Sequence, residues 1–572
     1  MTPRVTDRRL PVGAADASAA LAVHAPRLLD PFTAALPVAA DVVGRRLRGA
    51  LVREGLASAA PGDRVHAFGR VEYAHAGADD PADLLPTGLP GNTAGFAAEL
   101  RNAVVNLAIA MARQKPAADD GKRADAGEGV GDSTRANTGE AVSGSRDADA
   151  DGGADPDEGA VAGERLAVAG HNLHPCGRTR LGWDATDVLA HDLEAGRTRV
   201  GFLAVRDDAH LGDDLGTALR AAYPGLPAVP DGYRLQPVHA WQRDTIVAGR
   251  HRDLIAGGAV RILGDELDAI PTAALRTLLL PPAADGSRRY LKLSLDIQVT
   301  STRRGISVAS TRNGPAVSAL LHRLAGEDPD AGRLLLMAET AGAAVPAAGR
   351  DMSAILRDGL AGRLRPGERA LAGGALPFLA ADLVAAFAAS TGRRDDAQAA
   401  AGFLDAYARL LLPPLLRLTL RGVALEAHLQ NCLPTFVGGV PYRLAVRDFA
   451  GLRLHPGRLA AAGHEVPLWP GSVVGTGDEH VLRAKIGYTA FQAHLGELVL
   501  RLEESHGLAE DAAWRIVRGV VDETYEALGD AGRADHAAFT APLVPHKALV
   551  RMRLAGAGDE YLLVENPLHA PA

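Results

Sequence analysis

The stretch that most constrains this chain is the twelve residues Tyr290–Ser301, reading YLKLSLDIQVTS. Tyr290, Lys292, Ser294, Asp296, Gln298 and Thr300 fall on one side, and Leu291, Leu293, Leu295, Ile297 and Val299 on the other. An unbroken period of two predicts a strand with one apolar and one polar face. The ordinary home of such a strand is an antiparallel sheet with its polar face in water. The same face also suits one wall of an anion site, because it carries Lys292 and runs into Arg303-Arg304 and Asn313-Gly314-Pro315.

With 572 residues the chain is too long for one core, and roughly two to four domains are expected. Ala, Gly and Arg are abundant and aromatics make up only 4%, so a single Ala or Arg carries little information. The net charge of −8 is concentrated. Residues 116–163 hold twelve acidic and four basic side chains, which leaves the rest near neutral. That balance argues against nucleic acid as a partner. Residues 115–163 also lack aromatic, Leu, Ile and Met side chains. They are expected to be a disordered acidic insert, too poor in apolar surface to offset the entropy of ordering. Cys176 and Cys432 are too few for a disulfide framework or a cysteine metal site. No run of eighteen apolar residues suggests a membrane span, and the first thirty residues lack a continuous apolar signal core. A soluble, cytoplasmic protein is expected.

In chain order, residues 14–55 read as helix and 64–74 as an edge strand. Thr93 is placed as the N-cap of an amphipathic helix to about Gln114, with Glu99, Asn102 and Asn106 on one face. Order is expected to return at Glu164. The loop AGHNLHPCGRTRLGW, residues 169–183, then offers His171, His174, Arg178 and Arg180. It reads as a surface turn or as an anion site with forked donors; no third or fourth ligand stands at metal-site spacing. Residues 200–206 are a short apolar strand, and QPVHAWQRD brings His239, Trp241 and Gln242. PTAALRTLLLPP places Arg276-Thr277 just before the opening strand, so Arg276, Lys292, Arg303 and Arg304 cluster in an apolar region. They snorkel to solvent or face anionic partners. Residues 328–351 read as a connection between two lobes, followed by helices at 377–390 and 397–412. GVALEAHLQN, residues 422–431, fits either a strand presenting Glu426, His428 and Gln430 or a helix presenting Glu426 and Gln430. Glu426 and Asp448 of VRDFAGLRL could together hold Mg²⁺. Lys547 and Arg551 add charge near the end.

The motifs GHxxHPxxxxRxGW, PxxxLRT, KLSLxIQVTSxxR, NGPxxS, EAHxQN, RDFxGxRL and KALxxMRL…NPL occur here in that order, from about Phe96 to Leu568. Together they resemble the aerobactin-synthetase-like (IucA/IucC) family of siderophore synthetases that work without nonribosomal peptide synthetases. The resemblance implies an α+β, multidomain fold, a cupped hand of thumb, fingers and palm built from antiparallel sheets and helices. The expected division is 1–163 (thumb, with the insert 116–163), 164–335 (fingers) and 336–572 (palm). It implies ATP-dependent adenylation of citrate or a citrate-like carboxylic acid, followed by transfer to a polyamine or hydroxamate-type amine or a hydroxyl. A homodimer is expected on the same ground.

By the same resemblance Lys292, Arg304 and His428 are the catalytic set. His174, Arg178, Arg180, Arg276, Thr277, Lys292, Thr300, Ser301, Asn313, Gln430 and Asn431 bind the nucleotide or its junction with the acid, and Glu426 and Asp448 hold Mg²⁺. Two positions depart from the family pattern. Ala274 stands where Ser is usual, and Arg178 where Lys is usual, which turns a point charge into a fork. These departures motivate one rival, a catalytically impaired paralogue acting as a binding or regulatory partner. A second rival, an iron-handling reductase, conflicts with two distant cysteines, because an iron–sulfur cluster takes about four. A carboxylate–amine ligase of another fold leaves the ordered motifs unexplained.

Overall fold

The computed structural model describes residues 13–114, 155–300, 302–556 and 558–569. The opening stretch is two strands rather than one. Arg289–Leu293 pairs on both sides within the large sheet, and Leu295–Val299 turns away to pair with Thr302–Arg304. Ser294 makes the break: its hydroxyl accepts from the Ser353 amide at 3.1 Å and the Ile306 amide at 3.4 Å. The polar face is also not in water, since Tyr290, Lys292, Ser294 and Asp296 are all buried. Alternation reported the two faces correctly, but both are covered.

The large sheet has eight antiparallel strands in the spatial order Leu211–Gly212, Glu339–Ala344, Ser353–Asp358, Arg289–Leu293, Thr277–Leu279, Val260–Pro271, Thr198–Arg206 and Tyr233–His239. Residues 328–351, expected to connect lobes, instead supply the strands Leu334–Leu336 and Glu339–Ala344. The large sheet thus draws strands from both sides of the expected division at residue 335. A second sheet orders Leu334–Leu336, Val440–Val446, Cys432–Val437 and Glu368–Ala370, with its first pair parallel.

The largest core forms where the helices Leu376–Thr391, Ala397–Leu420, Gly496–His506 and Glu510–Leu528 bury their apolar faces together. Gly373–Thr391 and Ala397–Leu420 are long and apolar enough to cross a membrane, but their apolar surface is largely taken up by this core. A second core pairs Leu29–Arg53 with Thr93–Arg113, whose N-cap is Asn92 rather than Thr93, its side chain accepting from the Gly95 amide. The stretch read as an edge strand is the short pair Val65–His66 and Arg70–Val71. The last helix, Leu549–Ala555, returns to this core through Val550 and Leu554. The buried carboxylate of Glu54 accepts from the Val550 and Arg551 amides, so the first lobe caps the end of the chain.

The boundary expected at Glu164 is set too late, because Asp155 already caps a helix. Residues 155–163, assigned to the insert on composition, begin the helix Pro156–Glu164, with Asp155 as its cap; the rest of the insert lies outside the described residues. What composition misses is that three of these acids have fixed partners. Asp155 and Glu158 pair with Arg288, and buried Asp157 accepts from Leu360 N, Ala361 N and the Tyr290 hydroxyl. Asp157→Ala would leave two buried amides without an acceptor, each costing roughly 1–3 kcal/mol. A loss of about 3 kcal/mol in urea unfolding is expected, and a change under about 1 kcal/mol would mean that this helix is held otherwise.

Candidate active site

The 169–183 loop is interior rather than a surface turn. Arg46 donates to the carbonyls of Ala169 (2.6 Å) and His171 (3.0 Å), Asn172 reaches Glu497, and the Arg180 amide donates to Asn102. Three helices therefore hold it. Within it, His171 Nδ1 accepts from Leu173 N and His174 Nδ1 from Cys176 N. A neutral ring used that way carries its proton on Nε2 and is a donor there. Burial, reinforced by the neighbouring cations, pushes His174 down to about 3 and His171 well below the usual histidine range. Both rings are thus neutral donors at pH 7.

Arg178 and Arg180 have a different employment from the one expected. Arg178 pairs with Glu194 and Asp192 and donates to Val168 O, and Arg180 pairs with Asp192 at 2.8 Å. Both guanidiniums are buried in this cluster. They stiffen the loop, and a fork suits two carboxylates better than a lysine would.

Arg276 and Arg304 are the cations left over. Arg276 donates to the carbonyls of Arg304 (3.1 Å) and Gly305, and Arg304 to Val299 O and Thr300 Oγ1, both at 3.2 Å. Among the described residues neither has a carboxylate within ion-pair distance, and Arg304 Nε and the nearby Thr277 hydroxyl lack partners. Desolvation, then repulsion from Arg276, holds Arg304 down to about 10. Two desolvated guanidiniums without a carboxylate partner suit an anion. The backbone is strained at the same place. Leu275, Thr300 and Asp448, with φ of 60°, 56° and 64°, are three of the four left-handed non-glycine residues among those described. Each costs on the order of 1–3 kcal/mol and persists only where its surroundings enforce it. The Ala274 departure leaves this turn intact, because the Thr272 hydroxyl closes it onto Thr277 O at 2.8 Å and accepts from the Ala274 amide.

Lys292 is not an open phosphate contact. Its ammonium is 1% exposed and is bonded to Asp448, with Glu339 at 3.6 Å; Arg357 bridges Glu339 (3.2 Å) and Asp448 (3.8 Å). Lys292, then Arg357 and Arg276, hold Asp448 far below the usual carboxylate range. Glu426 pairs with Lys485 at 3.0 Å and is held down to about 2 by that charge and by His428, against the effect of burial. The expected Mg²⁺ pair therefore does not fit. Each carboxylate is already matched to an ammonium, and a divalent ion would have to displace Lys292 and Lys485.

The segment 422–431 is neither expected element throughout. A two-residue strand, Val423–Ala424, leads into a turn closed by Asn431 N on His428 O. His428 stands 4.0 Å from Glu426 and its ring lies 6.2 Å from that of His171, which joins this segment to the 169–183 loop. Asn431 holds the turn through Glu426 O, and Gln430 works through its carbonyl, which accepts from Arg447. Asn313 is a tether for another loop, donating to Ser472 and accepting from the Trp469 amide. Ser301 lies outside the described residues. Arg46, Glu164, Glu339, Arg357 and Lys485 were not read from the sequence. Glu164 bonds both Ala273 N, at 2.6 Å, and Arg447, and so ties the turn before Arg276 to the one holding Asp448.

The 169–183 loop, the 422–431 turn and the pair Arg276 and Arg304 thus form a candidate site with cations that no described carboxylate neutralises. Residues 160–377 match the IucA / IucC family, and 402–562 match the family described as ferric iron reductase FhuF-like transporter. The D-ornithine--citrate ligase of Staphylococcus aureus is 23% identical over 466 residues, covering 71% of this chain and 70% of that one. The petrobactin biosynthesis protein AsbB of Bacillus anthracis superposes with a TM-score of 0.75 at 17% identity, over 96% and 98% of the two chains. ATP-bound aerobactin synthetase IucA of Klebsiella pneumoniae gives 0.69 at 18%, over 92% and 99%. Residues 160–377 are thus similar to the IucA / IucC family, and the fold matches these solved structures over nearly the whole chain.

Two measurements follow from this geometry. Lys292→Ala would leave Glu339 and Asp448 sharing Arg357, and a loss of about 3–5 kcal/mol in unfolding free energy is expected; an unchanged midpoint would take Lys292 out of the structural core. His171, His174, His239, His428 and His494 all have depressed values through burial. The unfolded chain then binds more protons than the folded one below about pH 6.5. Stability should be complete above that pH and fall as pH drops toward 4, by up to about 1.4 kcal/mol per pH unit for each histidine. A flat profile from pH 7 to 5 would show these rings charged in the fold.

Proposed function

We propose that this protein is an ATP-dependent synthetase of siderophore assembly. It activates a carboxylate of citrate or a similar acid as an acyl-adenylate and hands the acyl group to an amine or hydroxyl. The observation that carries this reading is the pair Arg276 and Arg304, the first bonded to the backbone carbonyl of the second and neither with a carboxylate partner among the described residues. A carboxylate oxygen of the acid attacks the α-phosphorus of ATP, a new P–O bond forms, and pyrophosphate leaves with the electrons of the broken bond. The acceptor's nitrogen or oxygen then attacks the acyl carbon, AMP departs, and the acceptor loses a proton. Arg276 and Arg304 offset charge on the phosphoryl oxygens, and the neutral ring of His171 adds a fixed N–H donor. The relatives' names support the acid: one is a citrate ligase, and a structural neighbour was solved with ATP. Buried Cys432 is the only cysteine in the FhuF-like segment, which supplies too few thiolates for a cluster. By the same resemblance the enzyme works as a cytoplasmic homodimer on a polyamine or hydroxamate-type amine.

Citrate-dependent exchange of labelled pyrophosphate into ATP tests the proposal. Arg304→Ala should slow exchange by about 10²–10³, the usual effect of removing a donor aimed at developing charge. Absence of exchange with citrate, 2-oxoglutarate and succinate in the wild-type protein would falsify the proposal.

A further inference from the structure

Away from the candidate site, another group of side chains converges from three separate segments. His66 stands on the short strand Val65–His66, Glu503 in the last turn of the helix Gly496–His506, and Glu510 at the first position of the helix Glu510–Leu528. One ligand atom from each, an imidazole nitrogen and two carboxylate oxygens, lies within 4.8 Å of the others. A tetrahedral ion about 2.0–2.2 Å from its ligands sets them about 3.4 Å apart, so the group closes on one by moving no more than about 1.4 Å.

The hairpin is built to hold His66 in place. Phe68, the fourth left-handed non-glycine residue (φ 57°), plugs the turn into the largest core and meets Trp514 edge-on at 5.1 Å. The Ala67 amide donates to Glu510 Oε1 at 2.9 Å and fixes that carboxylate, leaving Oε2 against His66 Nδ1 at 3.0 Å. Hydrogen bonds of this kind orient the ligands of a metal. His66 Nδ1 carries its proton toward Glu510, because an ionised carboxylate only accepts. An ion takes the place of that proton, which passes to Nε2.

The cation opposite these acids is Arg64. It donates to both oxygens of Glu503, at 2.6 and 2.8 Å, and stands 3.7 Å from Glu510. Its side chain is 58% exposed, whereas those of His66, Glu510 and Glu503 are 10%, 12% and 22% exposed. So exposed a pair contributes little, and an ion can displace Arg64 into water at small cost. That separates this group from Glu426 and Asp448, whose ammonium partners are buried.

We infer that His66, Glu503 and Glu510 bind a divalent transition ion of the Zn²⁺ class, completed by water, which staples the hairpin to two helices of the largest core. One imidazole with two carboxylates suits such an ion, whereas Mg²⁺ and Ca²⁺ take all-oxygen sets. The small cavity lined by His66 and Glu510 also touches Leu173, so the staple lies behind the 169–183 loop. Its test is independent of the synthetase reaction. Titration calorimetry with Zn²⁺ alone, on the full chain freed of metal by a chelator, should show one ion per chain and a raised thermal midpoint. His66→Ala and Glu503→Gln should each weaken binding by at least about tenfold, the cost of disturbing even an outer partner of a metal ligand. Arg64→Ala should tighten it, because the competing cation is gone. With Co²⁺ as probe, d–d absorption should appear in the parent and vanish in His66→Ala. No binding by the parent overturns the inference. Equal affinity in His66→Ala and Glu503→Gln does so as well, since it leaves an adventitious ion only, on other histidines. Equal or weaker binding by Arg64→Ala also overturns it, because that arginine then does not compete for the place. If His66→Ala fails to fold, Glu503→Gln decides.

Discussion

The arrangement of this protein depends on one buried carboxylate. Asp448 projects from a left-handed turn after the second sheet into a space already holding Lys292 and Arg357 of the first, with Glu339 closing the set. Two acids and two bases balance, so the group is stable only when complete: a buried pair contributes little net, but losing one member leaves an uncompensated charge. Its geometric effect is to pin the strand Arg289–Leu293 to the segment that also supplies His428 and Glu426. Glu164 repeats the connection one layer away, through Ala273 and Arg447. The strain at Leu275, Thr300 and Asp448 is tolerable because these charge clusters leave those turns no alternative.

Much of this was legible in the sequence, and for physical reasons. Apolar patterning marked strand at 200–206 and 290–301, and helix at 14–55, 93–114, 377–390 and 397–412, against helices that run Leu29–Arg53, Thr93–Arg113, Leu376–Thr391 and Ala397–Leu420. The ordered motifs collected the segments that meet in the candidate site. What the sequence could not say was which cation faces a ligand and which faces a distant acid. Arg178 and Arg276 look alike as letters, yet Asp192 and Glu194 claim one and no described carboxylate claims the other. Local pattern also cannot tell a polar face in water from one under another layer, which is why Tyr290 and Lys292 are buried.

The misplaced edge of the acidic segment teaches the same point. Composition fails at Asp155, Asp157 and Glu158, because Arg288 and the Leu360 and Ala361 amides, far along the chain, make those charges structural. Glu426 and Asp448, read as a metal pair, have ammonium partners that no local reading reveals.

The return of the Leu549–Ala555 helix to the first lobe has a consequence for the order of assembly. Arg46 shapes the 169–183 loop from one extremity of the described chain, while Lys547 and the Glu54-capped helix arrive from the other. During synthesis, early domains fold as they leave the ribosome. Here Val550 follows its partner Glu54 by 496 residues, so a nascent chain carries the arginines and imidazoles long before this helix can dock. Loop closure on that scale is slow, and it makes the final docking of this short helix the step at which a folded chain becomes a complete site.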